Sequence, residues 1–168
     1  MTKTSTLKWF VAFSLSLVNF IALADEISLI DNNGIYMVPI TLNGTVNVAG
    51  ILDTGASEMF LPFNVIATLI QSGSINSKDI LKSGTYTLAD GTVKTRERVN
   101  IEKIKIGNNT YNNVTAIVGP NNSNILIGQN LLKNINYSIN NTKKIMIITQ
   151  ADEPLSLSKI NLGNMASN

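Results

Sequence analysis

Between Val38 and Val48 the apolar residues fall on every second position, with Val38, Ile40 and Leu42 before Asn43-Gly44 and Val46 and Val48 after it. A period of two puts those side chains on one face of an extended chain, and Asn-Gly readily takes the positive φ values of a tight turn, so this stretch specifies a β-hairpin. The pattern recurs. Tyr86-Thr87-Leu88 runs into Asp90-Gly91 and out through Val93, a second hairpin whose turn chemistry suits two central residues at positive φ. Val99, Ile101, Ile104 and Ile106 lead to Gly107-Asn108-Asn109, residues 114–118 follow as a strand, and Tyr137 and Ile139 face Ile145, Ile147 and Met146 across Asn140-Asn141. Two apolar runs read as buried strands: 49–52, ending at Asp53-Thr54-Gly55, and 125–127, stopped by Gly128. Phe63, Ile66, Ala67 and Ile70 fall near helical spacing between Pro62 and Gly73, Leu131-Leu132 starts a second short helix, and 71–83 reads as a polar linker. The expected fold is therefore all-β, a small closed or partly closed barrel with one or two short helices.

Residues 1–24 stand apart from this pattern. Lys3 and Lys8 precede an apolar run over 9–23, and Ala22-Leu23-Ala24 supplies the small-x-small pattern of a signal-peptidase site. The run is broken by Ser14, Ser16 and Asn19 and is shorter than the roughly 20 apolar residues that a membrane span takes. We expect a cleaved secretory leader, one domain over 25–150, an irregular C-terminal tail over 151–168, and a periplasmic location. Attachment to a membrane is expected only if the leader is retained as an anchor. Losing the leader removes Lys3 and Lys8 and no acidic residue, so basic and acidic side chains come into balance. No basic stripe remains to displace counterions, and nucleic acid is not an expected partner.

The sequence has no cysteine and no histidine. This excludes disulfides, thiol nucleophiles, Ser-His-Asp triads and His- or Cys-based zinc sites, and no metal or cofactor is expected. Acid–base chemistry falls to carboxylates, lysines or hydroxyls. The informative constellation is Ile51-Leu52-Asp53-Thr54-Gly55-Ala56-Ser57, in which a carboxylate follows a buried strand and a glycine lets backbone N–H groups approach it. Taken alone, Asp-Thr-Gly is also an ordinary strand-ending turn.

Two further motifs change its meaning: the Leu88-Ala89-Asp90-Gly91 hairpin, and Asn124-Ile125-Leu126-Ile127-Gly128-Gln129-Asn130-Leu131-Leu132 downstream. With the three in this order, the sequence resembles the retropepsin-like aspartic proteases over roughly residues 36–149, and most resembles their bacterial secreted or membrane-attached branch. The resemblance implies that Asp53 is the catalytic carboxylate. It also implies that Thr54 links two active-site loops across a dimer, and that the backbone of Gly55 contacts carboxylate and substrate. The hairpin with Leu88, Ala89, Asp90 and Gly91 becomes a flap over bound peptide, with Ile127 and Gly128 beside the active-site loop. Ala56, Ser57 and Glu58 join these as substrate-binding candidates. Glu58 suits a basic substrate group or, equally, a solvated turn, whereas Phe60, Leu61 and Phe63 read as core.

Peptide hydrolysis by carboxylates alone takes two of them sharing a proton, one acting as base on water and the other as acid to the carbonyl oxygen. The sequence holds one Asp-Thr-Gly, and Asp31 and Asp90 read as turn residues. The expected enzyme is therefore an aspartic endopeptidase acting on peptide or protein substrates as a homodimer, with Asp53 from each copy. Extended peptide would bind by strand addition. Pepsin-like relatives carry a hydroxyl residue at the place of Ala56, and without it the pair is expected to work at mildly acidic to neutral pH. Ser57 and Gln129 stand where retroviral members carry an Asp–Arg ion pair, so a polar contact is expected instead, and residues 145–148 are a candidate interface strand. The competing expectation is a non-catalytic secreted β module of the same fold that binds a peptide or protein, with Asp53 a mere turn residue.

Overall fold

The computed structural model describes residues 24–88 and 90–149. The predicted leader apart from Ala24, the flap residue Ala89 and the predicted tail lie outside the described residues. The strands are β1 (Asp25–Ser28), β2 (Ile30–Asn32), β3 (Ile35–Leu42), β4 (Val46–Leu52), β5 (Met59–Pro62), β6 (Ile80–Thr87), β7 (Val93–Ile106), β8 (Asn109–Gly119), β9 (Leu126–Ile127), β10 (Asn136–Asn140) and β11 (Ile145–Thr149). Two short helices interrupt them, α1 (Phe63–Gln71) and α2 (Gln129–Leu132).

Eight strands form one sheet in the order β2-β3-β4-β9-β5-β8-β7-β6, and β3 also pairs with β7 through Thr41↔Lys105 and Leu42↔Ile104. That extra pairing closes β3 to β7 into a ring and leaves β2 and β6 outside it, the partly closed barrel expected from the alternation. Val38, Ile40, Leu42, Leu61, Val99, Ile101 and Ile127 fill its interior. Pro39, which has no N–H, sits on the β3 edge beyond the last β2 pair, Ile30↔Met37, where no ladder bond is lost. Beside the ring lies a three-stranded sheet, β1-β11-β10, joined to it by a shared core containing Ile27, Leu29, Met146 and Ile148.

The first turn forms as its residues dictate. Asn43 and Gly44 take φ 47° and 69°, and the Thr45 N–H donates to the Leu42 carbonyl at 3.0 Å. Asn43 then fixes this turn to β7, since its backbone N–H donates to the Lys103 carbonyl and its side-chain oxygen accepts from the Lys103 N–H. Near that contact the inward face of β7 changes parity, from Val99 and Ile101 to Ile104 and Ile106, opposite Asn113 at φ 55° on β8.

Several expectations are corrected. The second hairpin does not turn on Asp90-Gly91 as its two central residues, although Gly91 takes φ 83°. The Leu88 N–H donates to the Thr92 carbonyl, so the loop has three residues. Helix α1 lies where its spacing and flanking residues placed it, but turned: Ile66 and Leu69 are buried, whereas Phe63 and Ile70 are about half exposed. The segment 71–83 is not merely a linker, because Ile75 is buried in the core and β6 begins at Ile80. Across the last hairpin Tyr137 pairs with Ile148 and Ile139 with Met146, so Met146 is faced as expected and Ile145 and Ile147 are not.

Candidate active site

Asp53 directly follows β4, which runs parallel to β9 with Ile51↔Leu126 and Leu52↔Ile127 paired. The Asp53 N–H donates to the Ile127 carbonyl at 3.0 Å, so the ladder fixes the backbone at the residue that carries the carboxylate. From there the loop folds back on it. The Gly55 and Ala56 N–H groups donate to Asp53 Oδ1 at 2.9 and 3.2 Å, and a Cβ on Gly55 would crowd that oxygen at 3.3 Å. Asp53 is half-buried, and Thr54 and Gly55 are exposed at the crown of the loop.

Residues following β9 hold the loop from behind. The Gln129 N–H donates to the Ala56 carbonyl at 2.8 Å, the Asn130 N–H to the Ser57 carbonyl at 3.0 Å, and the Gln129 side chain to the Thr54 carbonyl at 3.2 Å. Asn130 is the central bracket: its side-chain oxygen accepts from the Met59 N–H at 2.9 Å and its amide donates to the Thr115 carbonyl at 2.7 Å. These bonds join the loop, β5 and β8 through one side chain. The expected polar contact at Ser57 and Gln129 thus takes a different form, with the Gln129 side chain bound to the Thr54 backbone of its own chain.

The β6–β7 hairpin stands over this loop, and a cleft of about 640 Å³ lies between them, reaching from Asp53 to Tyr86 and Leu88. Phe60 lines it rather than lying in the core, with its ring against Tyr86 edge to face at 6.4 Å between centroids. Leu61 is buried as expected, and Phe63 lies in neither place. Ser57 and Leu88 line the cleft, whereas Ile127 is fully buried beneath it and Gly128 packs on the loop's backbone. At the tip, the Thr92 backbone N–H and then its hydroxyl hold the Asp90 carboxyl below the usual aspartate range, as fits a turn residue. Asp31 lies on β2 rather than in the turn that follows it, and its carboxylate is bonded to the Gly34 N–H of that turn and to Lys144.

Glu58 is neither a solvated turn residue nor a free charge in the cleft. Its carboxylate is held by the guanidinium of Arg98 through two bonds, Nε to Oε2 at 2.9 Å and Nη2 to Oε1. Asp53 is therefore the one carboxylate lining the cleft without a cationic partner among the described residues. No group of three or more metal-ligating side chains occurs among them. Sequence reasoning gave Arg98, Asn130 and Tyr86 no site role and placed Phe60 in the core. Only the last two had a signal, as aromatic residues on strands next to the two motifs.

Comparison with known proteins agrees with this geometry. Residues 38–134, more than half of the chain, match the family model described as "gag-polyprotein putative aspartyl protease", and the chain belongs to that family of retropepsin-like proteins. Among solved structures, the fold is similar to that of a retropepsin-like aspartic protease from Rickettsia conorii, with a TM-score of 0.55 and 21% identity, over 78% of this chain and 95% of that one. No curated protein matches the sequence.

Proposed function

We propose that the protein is an aspartic endopeptidase whose reacting centre forms when two copies meet, each contributing Asp53. The observation that carries this reading is the solitary, loop-held carboxylate: Asp53 faces a peptide-sized cleft with Oδ1 fixed by two backbone N–H groups, while Glu58 is occupied by Arg98. A second carboxylate has to come from another molecule. Two carboxylates in contact cannot both ionise, so the pair shares one proton. The charged member takes a proton from a water placed between them, the protonated member donates to the scissile carbonyl oxygen, and the water oxygen bonds to the carbonyl carbon. Collapse of that tetrahedral species with proton transfer to the nitrogen breaks the C–N bond. An extended peptide lies between the loop and the hairpin, bound through its main chain.

The second copy docks on the exposed crown of the loop, where Thr54 and Gln129 adjoin a hollow of about 480 Å³. The earlier interface candidate, 145–148, does not fit strand exchange, because both edges of β11 are already paired with β1 and β10 of the same chain. We further propose export to the periplasm with loss of the leader. The strand β1 starting at Asp25, directly after the predicted cleavage point, supports this. No helix among the described residues is long and apolar enough to cross a membrane.

The test is peptide cleavage by purified protein and by Asp53→Asn at matched thermal stability. Complete loss of cleavage in the variant is the expected result. Equal cleavage by both would remove Asp53 from the reaction, and peptide binding without cleavage by either would favour the non-catalytic module.

A further inference from the structure

The β6–β7 hairpin leaves the barrel at a definite residue. Strand β7 pairs with β8 from Arg98↔Ile117 onward, whereas Val93 to Arg96 pair, among the described residues, with β6 alone. Arg98 therefore marks the root of the hairpin. At the same level the register between β6 and β7 slips, with Leu81 opposite Arg98 but Gly84 opposite Arg96, so β6 carries one extra residue. A bulge of this kind bends the strand and increases its local twist.

The side chain of Arg98 turns from this root toward the active-site loop. A Cβ on Gly84 would lie 2.7 Å from Arg98 Cδ and 3.3 Å from Nε and Nη1, so the glycine leaves a slot that the arginine occupies. Through it the guanidinium reaches Glu58 with the two-bond fork described above, and the side chains remain only 31% and 23% exposed. Glu58 itself is braced in the main chain. Its carbonyl lies against Gly128, and the next residue, Met59, is bonded to Asn130.

We infer that Arg98 and Glu58 are a positioning pair that sets the angle of the β6–β7 hairpin over Asp53, with Gly84 as the slot that lets them meet. The pair joins the root of a hairpin whose outer strands pair, among the described residues, only with each other to the braced Glu58–Met59 segment of the loop. Its fork geometry fixes orientation as well as distance, which a lysine in place of Arg98 does not reproduce. Hairpin angle governs how closely Tyr86 and Leu88 close on bound peptide. The pair thus acts on substrate capture, while the chemical step at Asp53 is left intact.

The inference rests on the protease reading for its kinetic arm only. Purified full-length protein and the variants Arg98→Lys, Glu58→Gln and Gly84→Ala are compared by steady-state peptide cleavage and by backbone hydrogen exchange. In all three, KM is expected to rise about tenfold with kcat changed by less than about threefold, the size of effect that charge-assisted hydrogen bonds give. Amide exchange should quicken at 85–88 and 92–97 and stay unchanged at 99–106. Gly84→Ala keeps both charges and fills the slot, so its agreement with the other two separates geometry from charge. Unchanged KM in Arg98→Lys and Glu58→Gln, or faster exchange spread evenly over the barrel, overturns the inference. If the wild-type protein cleaves nothing, the protease reading fails while the exchange arm still decides whether the pair holds the hairpin.

Discussion

At Gly128 two main chains touch. A Cβ there would lie 2.3 Å from the Glu58 carbonyl oxygen and 2.5 Å from its carbon, atoms that cannot rotate aside. Gly128→Ala is therefore expected to push the loop off its bracing strand and misplace Asp53. A misplacement of about 1 Å costs about 100-fold in rate, to be measured as kcat/KM. Asn130→Ala strips partners from the Met59 N–H and the Thr115 carbonyl at once, and urea unfolding should show a loss of about 1–3 kcal/mol. The first of these sites was legible in the sequence, since a glycine after Ile-Leu-Ile is part of the motif that carries the resemblance. Asn130 was not legible, being one asparagine in an asparagine-rich chain whose contacts are set by folding alone. That richness has a structural use as well. Asn33, Asn43, Asn113 and Asn122 hold four of the five non-glycine positions with positive φ among the described residues, a conformation that asparagine tolerates better than most.

Elements were readable where an alternating face meets a turn signal, as at Asn43-Gly44, and unreadable where the choice of face depends on a distant partner. The strand β11 shows why. Ile145 to Ile148 are all apolar, so periodicity assigns no inside, and the inward residues Met146 and Ile148 are fixed only by the core that β11 shares with β1 and the barrel. The helix α1 is similar: Phe63, Ile66, Leu69 and Ile70 offer more apolar surface than the barrel covers, and the buried stripe centres on Ile66 and Leu69. The short β1 and β2 gave no alternation long enough to detect, yet the turn after β2 is tied to the β10–β11 turn by Lys144 Nζ bonded to Asp31 at 2.7 Å. Lys144 first and the Gly34 N–H second hold the Asp31 carboxyl below its ordinary range, and Asp31 holds the Lys144 ammonium above its own. Stabilisation from the depressed carboxyl is present above the ordinary aspartate value of about 3.9 and is lost as pH falls through the folded value; that from the raised ammonium is complete below about 10.4 and is lost as pH rises through its folded value. Asp31→Asn should therefore lower Tm by a constant amount across neutral pH. In a pH series of thermal melts, the gap from wild type should close on the acid side below about pH 4.

The whole molecule is a ring of strands that delivers one loop, braced from behind and covered by one hairpin, with a single unpaired carboxylate at its cleft. Its sequence announced the ring and the loop, because both are written in local patterns. How two such molecules would meet is not written locally, since an interface is a property of surfaces assembled from distant segments. The proposed dyad nevertheless makes a quantitative demand on the pair. When wild-type protein is mixed with an equal amount of Asp53→Asn protein and allowed to exchange partners, the species distribute statistically, and about half of the wild-type chains find a mutant partner. Those mixed dimers hold one ionisable carboxylate and cannot share a proton in the way the reaction uses. Activity per wild-type chain should fall to about half, provided total concentration stays well above the dimer dissociation constant. Dilution of wild-type protein alone should lower specific activity as dimers separate. A chain that cleaved peptide through its own residues would show neither effect, since a mutant neighbour and an empty solution would be the same to it.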